Sequence, residues 1–283
     1  MTIGLLVLLK ITVTIVIFGI GLDSTLHDAV RLFRQPALLL RSLLAMYVLV
    51  PLAAVGLVVL LPLPAGAEAG LLVLAVSAGA PLLPRKLLGI GDGAYIFSLV
   101  VVSSVLAVIL VPLWLEMLGP LFPLLPRLAP EKTALVLGES FFLPLLAGMA
   151  VRRFFPKFAA WTGGRVVGLA GLAMTLAAVV LLVVNWHVVL EVKWQGIAAL
   201  ALLIVMSLVI GHLVGGPEEE NRSALAVACA TRHIGVAVFV ATSLPGARIA
   251  VVISIYIAIS VAITLPYTRW RRAVAARHQT TLK

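Results

Sequence analysis

The chain alternates long apolar runs with short breaks of proline, glycine and charged residues. A helix that crosses the hydrocarbon core of a bilayer needs roughly 20 apolar residues. Spans of that kind can be drawn at 3–22, 37–61, 67–90, 94–118, 133–155, 160–185, 194–214, 222–244 and 247–267. The interruptions carry turn chemistry: Arg34-Gln35-Pro36, Pro62-Leu63-Pro64, Gly91-Asp92-Gly93, Gly215-Gly216-Pro217 and Pro245-Gly246. The pattern predicts an all-α polytopic membrane protein of about nine transmembrane helices, forming a single membrane domain over 1–283. Between the first two spans, Leu26, Val30 and Phe33 recur about a turn apart in a polar, basic stretch, which predicts a short interfacial helix over 23–36. The first run has no basic lead and no small-residue cleavage site, so it reads as a retained helix.

Two spans are interrupted from within. The third begins as a good helix, then meets Gly79, Pro81 and Pro84, with Arg85 and Lys86 following inside the apolar stretch. The eighth runs from Ala224 to Ala230, meets Thr231, Arg232 and His233, then passes Gly235 into a second short apolar piece. A charge at membrane depth costs about 2.5–3.5 kcal/mol on insertion scales and persists when it faces a partner or a cavity. Matching breaks in two halves of a chain point to a transporter site. The third span is next to last before the loop at 119–132, and the eighth is next to last in the chain. A first repeat over 1–119 and a second over 133–270 follow, with a tail at 271–283. The second half has an odd number of spans, so the repeats would be inverted.

Composition and charge narrow this further. With 63% hydrophobic and 11% charged residues the chain cannot form a water-soluble surface. The formal charge of +10 would suit a nucleic-acid partner, but its basic residues lie in loops and tails between apolar runs, which excludes that reading. Arg31, Arg34, Arg152, Arg153, Lys157, Arg222, Arg269, Arg271, Arg272, Arg277 and Lys283 fall on one side of the nine spans. Arg127, Lys132, Lys193 and Arg248 fall on the other. The richer side reads as cytoplasmic, with the N-terminus outside and the C-terminus inside. The single cysteine, Cys229, excludes an internal disulfide and reads as a packing residue.

At these residues the chain resembles the bile acid:sodium symporter family. FGIGLDSTLHDAVRLFRQPALLL is similar to the family's first conserved block, GDGAYIFSLVVVSSVLAVILVP to its fifth helix, and RSALAVACATRHIG falls where its second crossover motif stands. The resemblance covers nearly the whole chain. It implies inverted repeats, two discontinuous helices that cross, core and panel domains, alternating access between them, and residence in a bacterial plasma membrane. The present chain would lack the template's first helix. The family's sodium sites use a Ser-Asn pair in the first crossover, hydroxyls on the next helix, and Glu and Gln in the second crossover. Here Ala80-Pro81-Leu82-Leu83-Pro84 and 228–233 supply no acid, and only Ser103, Ser104 and Thr231 remain as oxygen donors. A guanidinium at a cation site repels sodium, so Arg232 argues against sodium coupling.

The reading that follows is a secondary transporter of a small organic anion, with no cofactor and no metal. Arg232, His233, Thr231, Arg85 and Lys86 are the substrate-binding candidates. Arg232 would serve as a built-in cation, holding crossover carbonyls or clamping a substrate carboxylate. His233 titrates near neutrality and could carry a coupling proton, as could Glu139 in the fifth span. An enzyme would need paired carboxylates or a Ser/His arrangement, and His27, His187 and His212 are isolated. A channel would want polar rings along a continuous path rather than polarity at two breaks. The alternative is a transporter-fold receptor or scaffold that binds without transport. Lys10 stands well inside the first span, and the sequence does not decide which way it faces.

Overall fold

The computed structural model describes residues 2–23, 32–79, 93–123, 125, 129–242 and 248–281, and among them every regular element is helical. In chain order these are α1 (Thr2–Asp23), α2 (Pro36–Leu60), α3 (Ala65–Val76), α4 (Gly93–Leu118) and α5 (Pro130–Phe154). Then follow α6 (Pro156–Val184), α7 (Trp186–Val214), α8 (Glu219–Ala230), α9 (Ile234–Thr242) and α10 (Arg248–Thr281). Among the described residues, 7 helical stretches are long and apolar enough to cross a membrane: α2, α4 from Tyr95, α5, α6, α7, the α8–α9 pair and α10 as far as Ala276. The chain is an integral membrane protein. α1 is a further apolar helix of 22 residues, about 33 Å long at ~1.5 Å per residue. α3 is too short to span alone, and the rest of the expected third span, with Pro81, Pro84, Arg85 and Lys86, lies outside the described residues.

Helix starts follow the sequence. Proline opens α5 and α6, where the missing N–H would have had no partner. One residue, Phe155, separates α5 from α6. Asn185 separates α6 from α7, its side-chain amide donating to Leu181 O at 2.9 Å. Three departures from the expected boundaries stand out. Residues 186–193, expected as a loop, are helical, and the chain breaks instead at Lys193 (φ 55°), one residue before the expected span start. The tail after 267 continues as helix to Thr281. Of the expected interfacial helix, Leu32–Arg34 form one tight turn, and 24–31 lie outside the described residues.

Packing sorts the helices. α1 lies along α5 and α6, and α8 lies along α7, while α10 leans on α3, α6 and α7. Gly21 and Gly148 let α1 and α5 touch backbone to backbone: a Cβ on Gly148 would stand 2.2 Å from Phe18 O. The α8–α9 pair is the innermost element, with 89% of its apolar window buried against 28% for α5. The acidic run that opens α8 is tied down rather than free. Arg271 of α10 donates to Ser223 Oγ at 2.8 Å and pairs with the Glu219 carboxylate.

Candidate functional site

α8 is a run of small buried residues, Ser223 to Ala230, and it stops at Thr231, whose backbone is extended (φ −106°, ψ 108°). Arg232 and His233 stand outside either helix before α9 begins at Ile234. α3 stops similarly: Ser77 leaves helical geometry and Gly79 takes φ +122°, a conformation L side chains rarely adopt. The two breaks meet. The His233 N–H donates to Ser77 O at 2.9 Å, and a Cβ on Gly79 would come within 3.0 Å of His233 Cδ2. Each break thus satisfies backbone that lipid could not.

Breaking α8 leaves its last carbonyls without helical partners, and side chains from α10 reach them. Tyr256 Oη donates to Ala230 O at 2.7 Å and Ser260 Oγ to the same oxygen at 3.5 Å. Arg232 is 1% exposed. Its Nη1 donates to Met46 O at 3.4 Å, and its charge acts on Tyr47, Tyr256 and Cys229 around it. Met46 can accept because α2 widens there into a π turn, Ala45–Leu49. In such a turn a carbonyl slips out of the ordinary ladder. The next residue uses the same freedom: Tyr47 O accepts from Trp114 Nε1 at 2.8 Å, while Tyr47 Oη donates to Ser103 O. No carboxylate pairs with Arg232 among the described residues. Its surroundings are carbonyl and hydroxyl oxygens, which carry partial negative charge but no net charge.

His233 points its chemistry elsewhere. Its Nδ1 accepts from the Val236 N–H at 3.3 Å, capping the start of α9. Acceptance at Nδ1 puts the proton of the neutral ring on Nε2. Nε2 has no hydrogen-bond partner among the described residues. The ring stacks edge-on against Phe141 of α5, centroids 5.9 Å apart. Both rings line a cavity of about 140 Å³ between α1, α5 and α9, with Lys10, Thr14, Ser140 and Phe239 in its wall. Gly235 keeps α9 close to α1 here, since a Cβ would meet Val13 Cγ1 at 2.2 Å. Thr231 and Arg232 border a second space of about 30 Å³ against Val13, Val16 and Met174.

The structure therefore brings Thr231, Arg232, His233, Gly79 and Gly235 together at one place. Ser103 and Ser104 are buried in α4; Ser103 Oγ donates to Val100 O at 3.2 Å, and Ser104 Oγ has no partner among the described residues. Glu139 is on the exposed face of α5 and does not line the cavity. Lys10 does line it, with Nζ 5.5 Å from the centroid of the Phe239 ring. A lone lysine in an apolar helix was the signal for it. Phe141, Phe239 and Ser140 gave none, because wall residues of an apolar cavity look like lipid-facing ones.

A family model described as the Sodium Bile acid symporter family matches residues 10–192, from α1 into the first turns of α7. No curated protein matches the chain.

Proposed function

The chain belongs to the Sodium Bile acid symporter family, a family of membrane transporters, and on that premise we propose that it moves a small organic anion by alternating access as a secondary active transporter. The observation that carries this reading is the meeting of the two helix breaks, His233 N–H to Ser77 O, beside a cavity that a buried guanidinium overlooks. Broken helices that expose backbone and charge at mid-span are the architecture of a transport site rather than of a packing core.

In this reading nine helices form inverted repeats over 1–119 and 133–270, with the N-terminus outside and the basic tail in the cytoplasm. Arg232 is the fixed positive charge of the site, with Thr231 beside it. It holds the carbonyls of α2 and of the α8 end, and its field favours an anion over a cation in the neighbouring space. Arg85 and Lys86 would add to that field from the first break. A sodium ion would have to share this ground with a guanidinium and without a carboxylate, so transport does not require sodium. His233 is the better proton carrier of the two titratable candidates, because it lines the cavity and Glu139 does not. A second reading, a receptor of the same fold that binds an anion without moving it, is favoured by the same lack of a carboxylate at the break.

Counterflow in proteoliposomes tests the proposal: unlabelled anion is loaded inside and entry of labelled benzenesulfonate or cholate is followed. Entry that persists with choline in place of sodium supports the reading. Entry that strictly needs sodium refutes the role given to Arg232. Binding without entry selects the receptor.

A further inference from the structure

We propose that the anionic head of the substrate is met by Lys10, not by the buried arginine, and that the cargo is a small monoanion with a compact apolar body, about the size of one six-membered ring. The proposal rests on the transport reading above and names the substrate class of the same site.

Three observations carry it. The first is access. Arg232 is 1% exposed and its free nitrogens are enclosed, whereas Lys10 is an exposed residue in the wall of the 140 Å³ cavity. No carboxylate pairs with Lys10 among the described residues, and its ammonium rests near the Phe239 ring, an attractive but modest contact. An incoming anion outcompetes such a contact. A lysine held inside an apolar helix is costly unless something offsets it.

The second is the chemistry of the wall. Lys10 supplies the one ammonium among the residues lining the cavity, and His233 adds a neutral ring whose Nε2–H lacks a partner among the described residues. Thr14 Oγ1 spends its proton on Lys10 O at 3.0 Å. Ser140 adds a hydroxyl on the α5 side. One cation with neutral polar neighbours suits a single negative charge. A dianion would leave its second charge against Ile17, Leu137, Phe141 or Phe239.

The third is size. A cavity of about 150 Å³ lined by apolar side chains holds benzene, and this one is about 140 Å³, walled largely by Val, Leu, Ile and Phe. A steroid-sized body would need this space to be several times larger.

Benzenesulfonate is the probe, because it keeps its charge at all working pH values. Calorimetric titration of the detergent-purified full chain is expected to show benzenesulfonate binding. The neutral benzenesulfonamide should bind at least about tenfold more weakly, and cholate more weakly still. Lys10→Met keeps the length of the side chain and should weaken benzenesulfonate by about tenfold or more, while Lys10→Arg retains binding. Phe239→Ala enlarges the space and should shift preference toward naphthalenesulfonate, a readout that holds even if the lysine variants express poorly. Equal binding by Lys10→Met, a preference for cholate, or no benzenesulfonate binding by the wild type overturns the proposal. Lys10-dependent binding with no counterflow would remove transport and leave this assignment in place. Cholate counterflow that Lys10→Met does not alter would leave transport and remove the assignment.

Discussion

Arg232 and Lys10 are both cations set within apolar helices, and the protein houses them in opposite ways. Arg232 sits in a break, enclosed, donating to Met46 O from a π turn and flanked by Tyr47 and Tyr256. Lys10 sits mid-helix in α1, its ammonium facing a cavity and an aromatic ring. A charge held by oxygens of its own chain is part of the scaffold and sets the potential around it. A charge with no ionic partner in an open space is available to something that arrives. The two positions thus divide a task that one residue seemed to carry: Arg232 fixes the sign of the site, and Lys10 receives the cargo.

The sharpest way to break this division is to remove the fixed charge. Arg232→Ala should lower counterflow by about 100-fold or more, ~2.7 kcal/mol in barrier terms, with the protein still folded by circular dichroism. Retained flux would strip Arg232 of its role. Next in size is the fit between the two breaks. Gly79→Ala forces a side chain into φ +122° and toward His233 Cδ2. It should cost about 1–3 kcal/mol, read as a lower unfolding temperature in detergent. An unchanged midpoint would mean the breaks are not locked together. Tyr256→Phe removes the donor to Ala230 O and leaves a buried acceptor with a weaker partner, at about 1 kcal/mol. Lys10→Met closes the series. Because its ammonium has no ionic partner among the described residues, the fold should change by about 0.5 kcal/mol or less. A large loss of stability there would make Lys10 a structural residue.

These contrasts also explain what the chain disclosed before its fold was known. The break after Ala230 was legible because a threonine, an arginine and a histidine interrupt an otherwise apolar run, and hydrocarbon makes that costly. The match between the two breaks was legible from Gly79 and Gly235 at corresponding places. The π turn at Ala45–Leu49 was not, since AMYVL carries no proline, glycine or charge to announce it. The helix at 186–193 was missed because Trp186, His187, Glu191 and Lys193 look like loop residues, although helix suits them equally when they pack at a membrane edge. The cavity walls were hidden for a deeper reason. Helices apolar on every side show no preferred face, so sequence periodicity cannot separate a surface that meets lipid from one that meets ligand.

The account's central claim is that a guanidinium, fixed among backbone oxygens where two helices break, does the work of a bound cation. The direct measurement is benzenesulfonate counterflow into proteoliposomes with choline replacing sodium on both sides, for the wild type and Arg232→Ala. The account predicts sodium-free flux in the wild type and background flux in the variant. Flux that appears in the wild type only when sodium is added, or equal flux in the two proteins, would contradict it.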